Sequence, residues 1–391
     1  MADTSEGQFA DGPLAGVRVV ELAGIGPGPF AAMLLADLGA DVIQVGRPGG
    51  PSPALPAHVD VSARGKRSVI VDMKDPRGLA VVLGLVERSD VLIEGYRPGV
   101  AERLGAGPDA CWARNPRLVY GRMTGWGQDG PLAQTAGHDI GYIAITGALH
   151  AIGAAGGPPQ IPVNYLGDYG GGAMFLAFGV LAALLSARVT GRGQVVDAAI
   201  VDGAATLQAA TYGLLSSGAG LWRDERGVNL LDGGAPFYGV YATSDGQHMA
   251  VGALEPQFYA RFIELLFAPD GTPVDLPMQH DRSRWPELRA AFTARFASRT
   301  RAEWTSVFEG SDACVAPVLS MTEATSHPHL AARGTYVTVD GVTQPAPAPR
   351  FSGGPLGPGR IPKPGEHTRE VVSSLDGVDV DELLAAGVIS G

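Results

Sequence analysis

The sequence predicts an α/β protein with a large domain built on a mostly parallel sheet and a second, smaller α+β domain. Three observations carry that expectation. Short β-branched runs alternate with apolar helical runs through the first half, and several of these elements end at glycine or at charged loops. From about Trp222 the texture changes to tight turns, such as Thr243-Ser244-Asp245-Gly246-Gln247, between short strands and amphipathic helices.

Taken in order, residues 17–22 read as a strand, 30–38 as a helix stopped by Gly39, and 41–45 as a second strand, which together make a βαβ start. The alternation continues with strands at 68–73 and 91–94, a helix at 76–88 between them, and a strand at 118–123. A long loop at 125–136 leads to His138 and an apolar helix running to Thr146. Residues 170–188 are expected to form a buried helix whose apolar stretch, 173–187, falls short of a membrane span, and 194–198 a further strand. Strands at 237–242 and 248–251 with helices at 257–267 and 286–296 furnish the small domain. A Pro- and Gly-rich connector at 344–364 and a short helix at 379–386 close the chain. The expected domains are therefore 13–224, 225–330, and a segment 331–391 that returns to the large one.

A net charge of −11 disfavours a nucleic-acid groove or an anionic membrane surface as partner. Cys111 and Cys314 stand far apart with no histidine at ligand spacing, so both read as free thiols and no metal is expected. The opening MADTSEGQFADG lacks a basic, apolar secretory pattern, and a cytoplasmic location is the expectation.

The first strand runs into Gly26-Pro27-Gly28-Pro29-Phe30-Ala31, which satisfies the GxGxxA turn of dinucleotide-binding proteins. That turn usually accompanies an acidic residue at the end of the second strand, where this chain has Arg47, so NAD is disfavoured. Arg47 suits a phosphate on an adenosine ribose, leaving NADP or coenzyme A. Arg64 and Lys66 follow the next segment and Arg97 another, so cations gather at loops after successive strands, where open α/β sheets bind nucleotides. A polyphosphate ligand follows; solvated loop charges are the alternative.

No GxSxG elbow, GxxxxGK[ST] loop or HExxH helix is present, which weakens hydrolase and kinase readings. His138, in Thr135-Ala136-Gly137-His138-Asp139, stands at a helix start after a glycine-bearing loop. Asp168 precedes Gly170-Gly171-Gly172 and an apolar helix. Either residue serves equally well as a helix cap on this evidence.

Segments such as LAGVRVVELAGIGPGPFAAMLLADLGADVIQV, RGKRSVIVDMKD, AGHDIGYIAITGALHAIG and GDYGGGAMFL resemble the CoA-transferase class III superfamily (CaiB/BaiF type), and within it the racemase branch, over nearly the whole chain. One departure is Ala63, where members often carry Asn. The resemblance implies a Rossmann-like large domain, an interlocked homodimer and a site between the two domains. It implies no separate cofactor, coenzyme A being part of the substrate. It places His138, Asp168 and Glu255 in catalysis, with Asn164 beside them and the Asp139 amide near the thioester oxygen. Arg47, Arg64, Lys66, Arg97 and Gly137 are expected against the CoA moiety. The implied reaction interconverts (2R)- and (2S)-2-methylacyl-CoA by 1,1-proton transfer through an enolate. The rival is a transferase in which Asp168 is a nucleophile that forms an acyl anhydride and then a thioester. An NADP-dependent reductase and a non-catalytic CoA-binding protein stand further behind.

Inverting a carbon beside a thioester carbonyl takes a base on one face and an acid on the other, a task suited to an imidazole and a carboxyl group. A helix start would lower the pKa of Asp168 and burial would raise it; only the second suits an acid that returns a proton to carbon.

Overall fold

A computed structural model describes residues 12–49, 56–267, 275–354 and 356–391. The chain divides into two compact units. The large unit draws on Met1–Thr146, Val163–Leu207 and Ala331–Gly391; the small unit takes Gly147–Pro162 and Gln208–Leu330. The small unit thus claims a stretch from inside the expected first domain, and it starts at Gln208 where 225 was expected.

The large unit is built on β1 (Arg18–Leu22), β2 (Asp41–Gly46), β3 (Arg67–Val71), β4 (Val91–Glu94), β5 (Val119–Thr124) and β6 (Val195–Ala199). These six lie in the order β3-β2-β1-β4-β5-β6, and every pairing among them is parallel. The chain's last strand, Ile389–Ser390, runs antiparallel along β3, so the C-terminal segment finishes the edge of this sheet. Val19, Val20, Leu92 and Val119 are fully buried, as strands covered on both faces require.

Helices α1 (Pro27–Asp37), α2 (Pro76–Glu87), α3 (Val100–Arg103) and α4 (Pro108–Arg114) fill the early crossovers. Helix α2 starts where Asp75 accepts the Arg77 amide and Pro76 supplies the preset φ of a first helical residue. Next come α5 (Asp139–Ile145), a nine-residue π-turn (Tyr165–Ala173), α6 (Met174–Thr190) and α7 (Ile200–Thr206).

The expected buried helix is therefore a π-turn continued by α6, a helical run of 26 residues that is long and apolar enough by composition to cross a membrane. One face of α6 packs on β5, β6 and α1 through Leu176, Val180, Ala183 and Ala187. Its other face leaves Phe178 and Val189 73% and 88% exposed, so the helix is buried on one side only.

The small unit holds a three-stranded antiparallel sheet of β7 (Tyr238–Ala242), β8 (His248–Gly252) and β9 (Val315–Pro317). The unit also holds α8 (Ala209–Ser216), α9 (Pro256–Phe267), α10 (Trp285–Phe296) and α11 (Arg301–Phe308), of which α10 and α11 pack on the sheet and α9 packs on α10. Its core is aromatic: Phe237, Phe262, Phe292, Phe296 and Trp304 are all fully buried.

Two cations expected at the ligand are enclosed in the large unit. Arg64 grips Asp37 with two hydrogen bonds, at 3.0 and 2.5 Å, and reaches Gln344 Oε1 and the Pro345 carbonyl with its remaining nitrogen. Lys66 Nζ lies 2.5 Å from Glu21 Oε2 and 2.9 Å from the Pro29 carbonyl, with both charged side chains essentially inaccessible. Each carboxylate lies upstream on a neighbouring element, so the charges satisfy one another across the fold instead of facing a phosphate. Lys66→Met will consequently cost about 3–5 kcal/mol in urea unfolding, because Glu21 is left buried and unpaired. Were Lys66 a phosphate ligand, stability would hold and CoA affinity alone would fall.

Candidate active site

Strand order reverses between β1 and β4, since β2 lies on one side of β1 and β4 on the other. Loops leaving the carboxyl ends of such strands diverge and open a crevice. Here the loops after β1, β4 and β5 enclose a cavity of about 450 Å³ whose lining is drawn wholly from the large unit. Gly24 to Pro29, Gly95 to Pro98 and Met123 to Trp126 form its walls, and Gly137, His138, Tyr142 and Asp168 complete it.

His138 is the N-cap residue of α5 with extended backbone, yet its side chain makes no capping hydrogen bond. It is exposed and lines the cavity, so the capping role that the sequence left open is not the one it fills. Asp168 is not a cap either. It is the fourth residue of the π-turn, a rare backbone geometry that frequently marks functional sites.

The glycines around Asp168 permit this turn. A β-carbon at Gly171 would come within 2.7 Å of the Ala204 nitrogen, and one at Gly203 within 1.8 Å of the Gly171 carbonyl oxygen. Only hydrogen at both positions lets α7 lie against the turn.

Burial pushes the Asp168 carboxyl above the usual aspartate range, against a hydrogen bond from Asn164 Nδ2 at 3.3 Å that pulls it down. The negative charge of Asp139 raises it further, and His138 lowers it. The two opposing influences anticipated from the sequence are thus resolved in favour of burial. Asp139 accepts the Asp168 amide hydrogen at 2.7 Å through its side chain. The Asp139 amide occupies the first helical position of α5, which has no intrahelical acceptor.

Arg97 is exposed on the cavity wall, and Arg47 is exposed just past β2, close enough to Tyr96 to lower that phenol's otherwise raised pKa. These two cations remain available after Arg64 and Lys66 are withdrawn into the fold. Gly137 lines the cavity as well, and its lack of a side chain has a local reason: a β-carbon there would sit 2.5 Å from the Tyr142 ring. Glu255 belongs to the small unit, exposed in the turn between β8 and α9.

The GxGxxA turn differs from a phosphate cradle in one respect. Pro27 and Pro29 have no amide hydrogen and Phe30 donates to the Gly26 carbonyl, so of the first three helical residues of α1 only Gly28 offers a free donor. Gly26, with φ of 72°, brings this turn beside the acid, and a β-carbon on it would lie 3.8 Å from Asp168 Oδ2.

Three side chains escaped the sequence reading. Trp126 meets Tyr142 edge-on at 4.7 Å, forming the wall behind His138. Glu94 ends β4 fully enclosed; burial drives its carboxyl up to about 7 while it accepts the Tyr96 amide at 2.6 Å, fixing the loop that carries Arg97. The clue to the aromatic pair was available, since Gly125 and Gly137 flank the loop and both would collide with Tyr142 if they carried a β-carbon.

A doubly wound sheet with an imidazole and a protonatable carboxyl group in one switch-point cavity defines an acid–base enzyme of the α/β class. The chain belongs to CoA-transferase family III, which it matches over residues 14–368. Among its relatives, human alpha-methylacyl-CoA racemase is 46% identical over 368 residues, covering 93% of each chain. Mouse succinyl-CoA:glutarate CoA-transferase is 31% identical over 402 residues, covering 96% of this chain and 90% of its own. A CaiB/BaiF family protein from Brucella suis has the same fold at a TM-score of 0.78 and 27% identity, over 94% of this chain and all of the other.

Proposed function

We propose that this enzyme is an alpha-methylacyl-CoA racemase, interconverting the 2R and 2S forms of 2-methylacyl-CoA thioesters. The observation that carries the reading is that His138 and Asp168 face one cavity while burial keeps the Asp168 carboxyl able to hold a proton. The 46% identity to the human racemase supports the same reaction.

In this mechanism one group removes the α-proton from its face as the other delivers a proton to the opposite face. The roles exchange when the other enantiomer enters. Charge that develops on the thioester oxygen is met by the Asp139 amide at the start of α5, and one such donor is worth about 2.7–4 kcal/mol. Arg97 and Arg47 hold the phosphates of the CoA moiety, which is part of the substrate, and no separate cofactor takes part.

The active form is a homodimer in which Glu255 of the partner subunit accepts the other ring N–H of His138 and fixes its tautomer. The exposed apolar side of α6, with Phe178, Leu185 and Val189 turned outward, supports an oligomer, because a monomer seldom presents so large an apolar patch to water.

Incubating (2R)-2-methylacyl-CoA with enzyme in D₂O will incorporate one deuterium at C2 and erode optical purity. The transferase reading, favoured by the 31% identity to a CoA-transferase, requires instead that CoA pass to an added carboxylic acid with the α-hydrogen retained. Deuterium-free substrate of unchanged configuration would refute racemisation.

A further inference from the structure

We propose that the side chain of Asp139 is a positioning residue for Asp168, clamping the π-turn through the Asp168 amide and placing a second negative charge beside the reactive carboxyl. This goes beyond the amide of Asp139 and concerns its carboxylate. It rests on Asp168 being the proton-transfer group of the racemase.

The geometry is specific. Asp139 is 6% exposed, and its Oδ2 accepts the Asp168 N–H at 2.7 Å. A π-turn, like any helical start, leaves its early amides without an intrahelical acceptor, so this bond anchors the turn at the residue that does the chemistry. The other oxygen, Oδ1, is buried with no hydrogen-bond partner. The turn is also shaped around the bonded oxygen: a β-carbon at Gly167 would come within 2.4 Å of Oδ2.

The charge has a chemical consequence. Two carboxyl groups in one site resist simultaneous ionisation, which favours the protonated form of the partner that must donate to carbon. From α5 and its cap the groups facing Asp168 are His138, Asp139 and, one turn on, Tyr142; from the residue that caps the π-turn it is Asn164. Helix α1 presents the backbone of Gly26, and α7 meets the turn through Gly203 and Ala204, its Asp202 acting on Asp197 instead. Among these groups Asp139 is the one whose charge raises Asp168.

The test is Asp139→Asn, which keeps an oxygen to accept the amide and removes the charge. Carboxyl ¹³C NMR of aspartate-labelled apoenzyme, with Asp168→Asn used to assign the resonance, should show the Asp168 midpoint falling by roughly 0.5 to 1 pH unit. The matching limb of the pH profile for α-proton exchange should move by the same amount. Asp139→Ala should show that shift together with a kcat loss beyond it, since the amide loses its acceptor. Should the Asn variant not fold, Gly167→Ala, which displaces the carboxylate, must lower the midpoint likewise. An unchanged midpoint in a folded variant overturns the proposal. If the parent enzyme exchanges no α-proton, the racemase reading fails, while the apoenzyme titration still decides the role of Asp139.

Discussion

Asp168→Asn will lower racemisation of a 2-methylacyl-CoA by roughly 10² to 10⁴, the range that one positioned acid–base group supplies. The amide is nearly isosteric and can still accept from Asn164, so the π-turn should persist and CoA affinity, measured by calorimetry, should stay within a few-fold of the parent. Activity surviving within tenfold would remove Asp168 from the mechanism. The sign of the pH effect follows from the raised carboxyl. Where Asp168 acts as base, the rate falls as pH drops through its elevated midpoint. Where it acts as acid, the rate falls as pH rises through that midpoint. Because the two directions nevertheless use enzyme forms that hold the same single proton, both substrates should show the same profile in kcat/KM, and the limb set by Asp168 should be absent from the Asn variant.

His138→Gln should cut racemisation to a similar degree, with a more informative residue of activity. With one base gone, Asp168 can still take a proton from the enantiomer whose hydrogen faces it and return deuterium to the same side. The expected result in D₂O is exchange without inversion, confined to one enantiomer and read by chiral chromatography with mass spectrometry. Equal exchange of both enantiomers would mean that a different group serves the other face.

Much of this site was legible because glycine and charge placement are strong signals. The strand at 91–94 was read to the residue, and the crossover helix at 76–88 to within one, as their β-branched and capping patterns are local. His138 and Asp168 stood out because each adjoins glycines, which the chain uses where backbone or ring packing leaves no room for a β-carbon. Arg64 and Lys66 misled for a physical reason. A basic residue after a strand looks the same in sequence whether it faces solvent or a carboxylate 27 or 45 residues upstream, and the partners Asp37 and Glu21 are revealed only by the fold. The π-turn was hidden because one extra residue per turn leaves no periodic trace in nine positions. The small unit's claim on Gly147–Pro162 was hidden for a related reason, since an excursion between units carries no compositional boundary.

The two prolines that open α1 bear on more than the discarded nucleotide reading. A helix end with its full set of amide hydrogens, set against Asp168 through Gly26, would attract electrons onto that carboxyl and keep it ionised. Rings that cannot donate weaken that pull. The same pair of residues that disarms an anion cradle thereby leaves burial as the dominant influence on the Asp168 carboxyl.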